Sequence, residues 1–179
     1  MLKIIGYLLG LVVVAAAVIL VFALTKPDSF HVERMASIKA PPEKIFPLIN
    51  DFNNWPKWSP WEKRDATMKK TLSGAASGVG AVYDWDGNSD VGAGRMEISE
   101  STPSQKIAIK LDFKRPMAAS NVATFTLTPH GDATDVTWAM DGPSPYVAKV
   151  MDVIFGFDKM IGGDFQQGLD ALKAEAEKP

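Results

Sequence analysis

The run Ile4 to Leu24, IIGYLLGLVVVAAAVILVFAL, carries no charge over 21 residues, and it constrains the chain more than any other feature. As a helix rising ~1.5 Å per residue it is about 31 Å long, enough to cross a hydrocarbon core of ~30 Å. Lys3 and Lys26 flank it, where long basic side chains reach lipid headgroups. A buried core helix is the plain alternative, and the unbroken apolar length speaks against it. A cleaved secretory signal is the stronger rival, because Val21-Phe22-Ala23 fits a small-x-small cleavage site. The run nevertheless exceeds the roughly 7–15 apolar residues usual in such signals. The expectation is an uncleaved single-pass anchor over 1–26, touching the membrane through 4–24, followed by one domain over 27–179. Lys3 and the amino terminus on one side, against Lys26, Arg34 and Lys39 on the other, give little orientation bias. The usual signal-anchor arrangement puts the domain on the outer (periplasmic or extracytoplasmic) side.

The balance of 19 basic and 21 acidic residues leaves a net charge of −2, with no basic stripe interleaved with aromatics. Nucleic acid is therefore not an expected partner. The absence of cysteine removes disulfides, thiol nucleophiles and thiolate metal sites together.

Past the polar linker Thr25–Ser29, Phe30 to Ala40 reads as a strand, with Val32, Met35 and Ile38 set against Glu33, Arg34 and Lys39. Pro41-Pro42 stops it, and a short helix follows with Ile45, Phe46 and Ile49 on one face and Pro47 limiting its length. Five further strands come after Asp65 at Met68–Ser73, Val79–Trp85, Arg95–Ser101, Gln105–Lys114 and Val122–Thr128, and a sixth at Asp135–Asp141. Turns are expected at Asp86-Gly87-Asn88 and at Pro129–Asp132. Short spacings and strict alternation argue for an antiparallel meander with one solvated face. The C-terminal third changes to a helical period, Tyr146, Val150, Ile154, Phe157, Ile161, Phe165, Leu169 and Leu172, interrupted at Gly162-Gly163. An α+β fold follows, in which the apolar face of a sheet packs on one long amphipathic helix.

Between the first helix and the meander lies NDFNNWPKWSPWEKRD, where Trp55, Trp58 and Trp61 are separated by Pro56 and Pro60. The prolines preclude a regular helix, so the segment is expected to close one end of the sheet irregularly. With these tryptophans, the apolar sides of the strands supply Tyr83, Trp85, Met96, Phe113, Phe125, Trp138 and Met140, and the long helix supplies Phe157 and Met160. Such a set lines either a filled core or an apolar pocket with a few polar handles.

Catalytic signals are sparse. His31 sits on the first strand and His130 in a turn, without a neighbouring nucleophile, and no HExxH or phosphate-loop pattern occurs. Asp84, Asp86 and Asp90 flank a turn, where aspartate serves backbone geometry. Arg95 and Asp158 are the remaining polar candidates, and both read as surface charges. No catalytic residue, metal or cofactor is assigned.

The order of these elements, together with NDFNNWPKWSPWEKRD, GVGAVYDWDG, GRMEISESTP, TDVTWAMDG and FDKMIGGDFQQGLDALK, resembles the polyketide cyclase/dehydrase and lipid-transport branch of the START-like (SRPBCC) superfamily, in a bacterial membrane-anchored subgroup. The resemblance covers about residues 30 to 175. It implies the helix-grip fold: a curved seven-stranded antiparallel sheet around a long C-terminal helix, enclosing a hydrophobic cavity. It also implies a hydrophobic small molecule or lipid as the partner. Three readings follow from it: a tethered binder of such a molecule, a cyclase or dehydratase, or a stress- or chaperone-associated interaction module. The binder leads, because tethering suits a ligand of low aqueous solubility.

Overall fold

The computed structural model describes residues 2–179. After helix α1 (Leu2–Leu24) come strand β1 (Ser29–Ile38), helix α2 (Pro42–Asn50) and two 3₁₀ turns at Phe52–Lys57 and Pro60–Lys63. Strands β2 (Lys69–Gly74), β3 (Ala81–Asp86), β4 (Ala93–Thr102), β5 (Lys106–Arg115), β6 (Ala119–His130) and β7 (Ala133–Pro143) follow. Helices α3 (Tyr146–Phe155) and α4 (Phe157–Ala176) end the chain. The strands form one sheet in the order β1-β7-β6-β5-β4-β3-β2, antiparallel throughout, so the meander closes by bringing β1 back beside β7.

The period-two pattern decides which face is buried. On β5, Ile107, Ile109 and Leu111 are buried while Lys110 and Asp112 face water. On β7, Val136, Trp138 and Met140 point inward between Asp135, Thr137, Ala139 and Asp141. The first strand departs from the sequence expectation. Met35 is 60 % exposed, and Arg34 shares the inner face because it lies opposite Trp138. A partner makes this tolerable: the Arg34 guanidinium grips Asp158 of α4 through both carboxylate oxygens at 2.8 and 2.9 Å. The helical break also differs. The chain turns at Gly156, whose φ of 73° suits only glycine well, while Gly162 and Gly163 lie inside α4. A Cβ at Gly162 would strike the Arg34 guanidinium, so this glycine gives the ion pair its room.

A single helix cannot cover this sheet. Seven strands about 4.8 Å apart span roughly 29 Å, whereas a helix with side chains is about 10 Å across. Helix α4 lies mainly over β1, and the far side is left to α2 and the 3₁₀ turns. One half of the sheet carries a solid core in which Ile38, Ile45, Ile49, Ile98, Ile107, Leu127, Val136, Leu169 and Leu172 are buried. The other half contains the ends of β1 and β7 at Ser29 and Pro143, where the chain leaves α1.

Candidate functional site: a cavity under the tryptophan segment

The tryptophan segment covers what the helix leaves bare. Trp55 and Trp58 are buried, and their indole N–H groups donate to the carbonyls of Ile49 (2.9 Å) and Leu48 (2.8 Å). Those carbonyls belong to the last turn of α2, where helical partners run out. The rings thus satisfy the helix end while filling space. From there a continuous aromatic stack crosses the interior. Trp58 meets Phe125 and Trp138 edge-on at 6.1 and 5.7 Å, and Trp138 lies parallel to Phe165 at 4.2 Å.

Beside this stack a cavity of about 110 Å³ remains open to the surface. Its floor comes from the sheet: Tyr83 and Trp85 of β3, Met96 of β4, Ile109, Leu111 and Phe113 of β5, Ala123 of β6, Trp138 and Met140 of β7. Trp55, Ser59, Trp61 and Glu62 close it from above, and Met68 and Val91 from the connecting segments. Trp61, Met68, Trp85, Met96 and Phe113 are only half-buried, marking the open side. The register places this opening in the half of the sheet nearest α1: Trp85 pairs with Gly94, Gly94 with Phe113 and Phe113 with Ala119. Gly94 is needed there, because a Cβ would come within 2.5 Å of Trp85 Cζ2.

Eight of the twelve side chains expected around a pocket line this cavity: Trp55, Trp61, Tyr83, Trp85, Met96, Phe113, Trp138 and Met140. Four do not. Trp58 and Phe125 are fully buried within the aromatic stack, which fills much of the expected hollow. Phe157 packs edge-on against Phe30 at 5.6 Å, and Met160 is 49 % exposed, because the break at Gly156 turns the start of α4 away from the cavity. Ile109, Leu111 and Ala123 were recoverable from the same alternation that marks Phe113 and Phe125. Ser59, Glu62 and Val91 were not, since they lie in irregular segments, and Met68 was expected to open a strand that begins one residue later, at Lys69.

Glu62 is the notable addition. Its side chain is 7 % exposed, and its carboxylate accepts from the Tyr83 hydroxyl at 2.7 Å and from Lys70 Nζ at 2.5 Å. Burial pushes the Tyr83 phenol up, and the Glu62 carboxylate adds to the effect, so Tyr83 stays a neutral donor near neutral pH. A carboxylate offers about four lone-pair sites, which leaves acceptor capacity for a guest. The Trp138 indole N–H is buried with no hydrogen-bond partner among the described residues. Arg95 faces outward toward Asp84 and Glu97, and Asp158 is held by Arg34. His31 and His130 are exposed beside Asp141 and Asp135. Among the described residues no cluster of three metal-ligating side chains occurs.

Solved structures with this architecture are known. Protein CV1439 from Chromobacterium violaceum superposes with a TM-score of 0.59 at 18% identity, over 86% of this chain and 100% of that one. The di-domain ARO/CYC StfQ from the steffimycin biosynthetic pathway gives 0.65 at 14% identity, over 83% of this chain and 51% of StfQ. The Aha1 dimer from Colwellia psychrerythraea gives 0.56 at 18% identity, over 80% and 96%. At these identities the likeness establishes the helix-grip fold and nothing about activity. No curated protein matches the chain in sequence. The family model for polyketide cyclase / dehydrase and lipid transport matches residues 29–177, from the first strand through the last helix, and the chain belongs to that family.

Proposed function

We propose that this chain binds an amphipathic small molecule in the cavity, with residues 1–26 anchoring the binding domain 27–179 to a membrane. The observation that carries the reading is a buried carboxylate, Glu62, on the wall of an otherwise apolar open cavity. The rings of Trp61, Trp85, Phe113 and Trp138 suit a flat or acyl group, and Glu62 suits a hydroxyl or amine donor on it. Size limits the guest. An apolar cavity of about 150 Å³ accommodates benzene, so about 110 Å³ admits one small ring or a short acyl stretch. The remainder of a larger molecule stays at the mouth. Helix α1 is long and apolar enough to cross a bilayer and is not buried against the fold, and the cavity opens in the half of the sheet beside it. A lipid-derived or similarly insoluble ligand then reaches the mouth along the membrane, with the domain on the extracytoplasmic side.

The test compares the full chain with Ala123→Leu, which fills the cavity from a wall position 5 % exposed. Both proteins are purified in lipid nanodiscs, and bound molecules are identified by native mass spectrometry. A guest retained by the parent and lost from a folded Ala123→Leu variant supports the reading. Equal retention by both, or no guest in either across a panel of monocyclic alcohols, amines and short-chain lipids, overturns it.

A further inference from the structure

Helix α3 has its polarity inverted relative to a helix in water. Lys149 is 9 % exposed, and its ammonium reaches Asp28 at 2.6 Å. Asp152 is half-buried, accepts from Lys26 at 2.9 Å and caps α4 through the Phe157 N–H at 2.8 Å. Both charges of α3 are therefore turned inward and paired. The outer stripe is Val147, Met151, Ile154 and Phe155, exposed by 59, 37, 50 and 51 %. Positions i, i+4, i+7 and i+8 form one continuous apolar face. Such a face in open water is unfavourable at about 25 cal/mol per Å².

The same helix is clamped to the end of α1. Tyr146 Oη donates to the Leu20 carbonyl at 3.0 Å, Lys26 is tied to Asp152, and Ala23 is fully buried at this junction. Leu20 lies four residues inside the end of α1 (Leu24), about 6 Å along its axis. With α1 as the anchor proposed above, the start of α3 is held at the depth where hydrocarbon gives way to headgroups. Tyrosine suits that depth, having an apolar ring and a polar tip.

We infer that α3 is an interfacial helix whose Val147, Met151, Ile154 and Phe155 face lies in the surface of the bilayer that α1 crosses. This rests on the anchor reading above and adds a second contact, which fixes the tilt of the domain and turns the cavity-bearing half of the sheet toward the lipid. The occupant is the bilayer because the unpaired apolar face continues from the transmembrane span itself, with the bonds to Leu20 and Lys26 setting its height.

The absence of cysteine permits a direct test. Single variants Val13→Cys in α1, Ile154→Cys in α3 and Thr126→Cys on the outer face of β6 are labelled with an environment-sensitive nitrobenzoxadiazole. The full chain is reconstituted in equimolar phosphatidylcholine and phosphatidylglycerol vesicles, with or without brominated phosphatidylcholine. The inference expects blue-shifted emission and bromine quenching at both 13 and 154, and neither at 126. Quenching at 13 with a water-like label at 154 overturns the inference and leaves the anchor standing. Water-like labels at 13 and 154 remove both. Equal quenching at 126 and 154 signifies unspecific adsorption and also overturns the inference.

Discussion

Replacing Trp138 by alanine tests whether the aromatic stack or the cavity dominates at the residue that belongs to both. The indole is 2 % exposed, parallel to Phe165 at 4.2 Å, tilted on Phe125 at 4.6 Å, and met edge-on by Trp58 and Trp61 at 5.7 Å each. A buried tryptophan removes roughly 150–250 Å² from water, or about 4–6 kcal/mol at 25 cal/mol per Å². Two features reduce that figure: one side of the ring borders open space, and its N–H is unpartnered, which costs about 1–3 kcal/mol in the parent. The expected loss is about 3–4 kcal/mol, within the usual Trp→Ala range. For a domain of this size that lowers Tm by roughly 10 °C, read by near-ultraviolet circular dichroism on the full chain in nanodiscs. Trp138→Phe keeps the stacking and deletes the unpaired N–H, so it should cost no more than about 1–2 kcal/mol. An alanine variant losing under about 1 kcal/mol would show that the stack does not hold the ring. A phenylalanine variant as unstable as alanine would show that the N–H has a partner.

Tyr83→Phe should cost about 1–2 kcal/mol, because Glu62 keeps Lys70 but loses its bond to a neutral donor; a double-mutant cycle with Glu62→Ala, which removes the acceptor, followed by urea unfolding, should return a coupling of that size. Gly94→Ala should displace the Trp85 ring and break its N–H bond to Val91 (3.0 Å), at about 1–3 kcal/mol of overpacking, with loss of the guest seen by native mass spectrometry. Asp65 accepts from Thr67 Oγ1 (2.7 Å), the Asn88 N–H (2.8 Å) and the Thr67 N–H, which hold its carboxyl below the usual aspartate range. Its contribution is present above the ordinary aspartate value and is lost as pH falls through the depressed one. Asp65→Asn should therefore be less stable than the parent near neutrality and converge with it in strong acid, and a gap that persists there would refute the assignment.

Alternation of apolar and polar residues along β5 and β7, helical periodicity after Tyr146 and the uncharged run of α1 were decisive in the sequence, because each is a local consequence of backbone geometry. They determined a long apolar helix, an antiparallel sheet and a covering helix, and with the sheet six of the side chains that line the cavity, Trp55 and Trp61 standing in the proline-broken segment that has no period. Tertiary structure alone decided that Arg34 faces inward, since only the approach of Asp158 from α4 makes that burial tolerable. It alone separated Trp58 and Phe125, which fill the interior, from Trp61 and Trp85, which leave room, because that depends on how far one helix reaches across seven strands. Glu62 belongs to the same class: it stands in the proline-broken segment, where no periodicity assigns a face, and it becomes a buried handle when Tyr83 and Lys70, on other elements, meet it across the fold. Periodicity reports which way a side chain points, whereas a cavity is set by what fails to arrive from elsewhere.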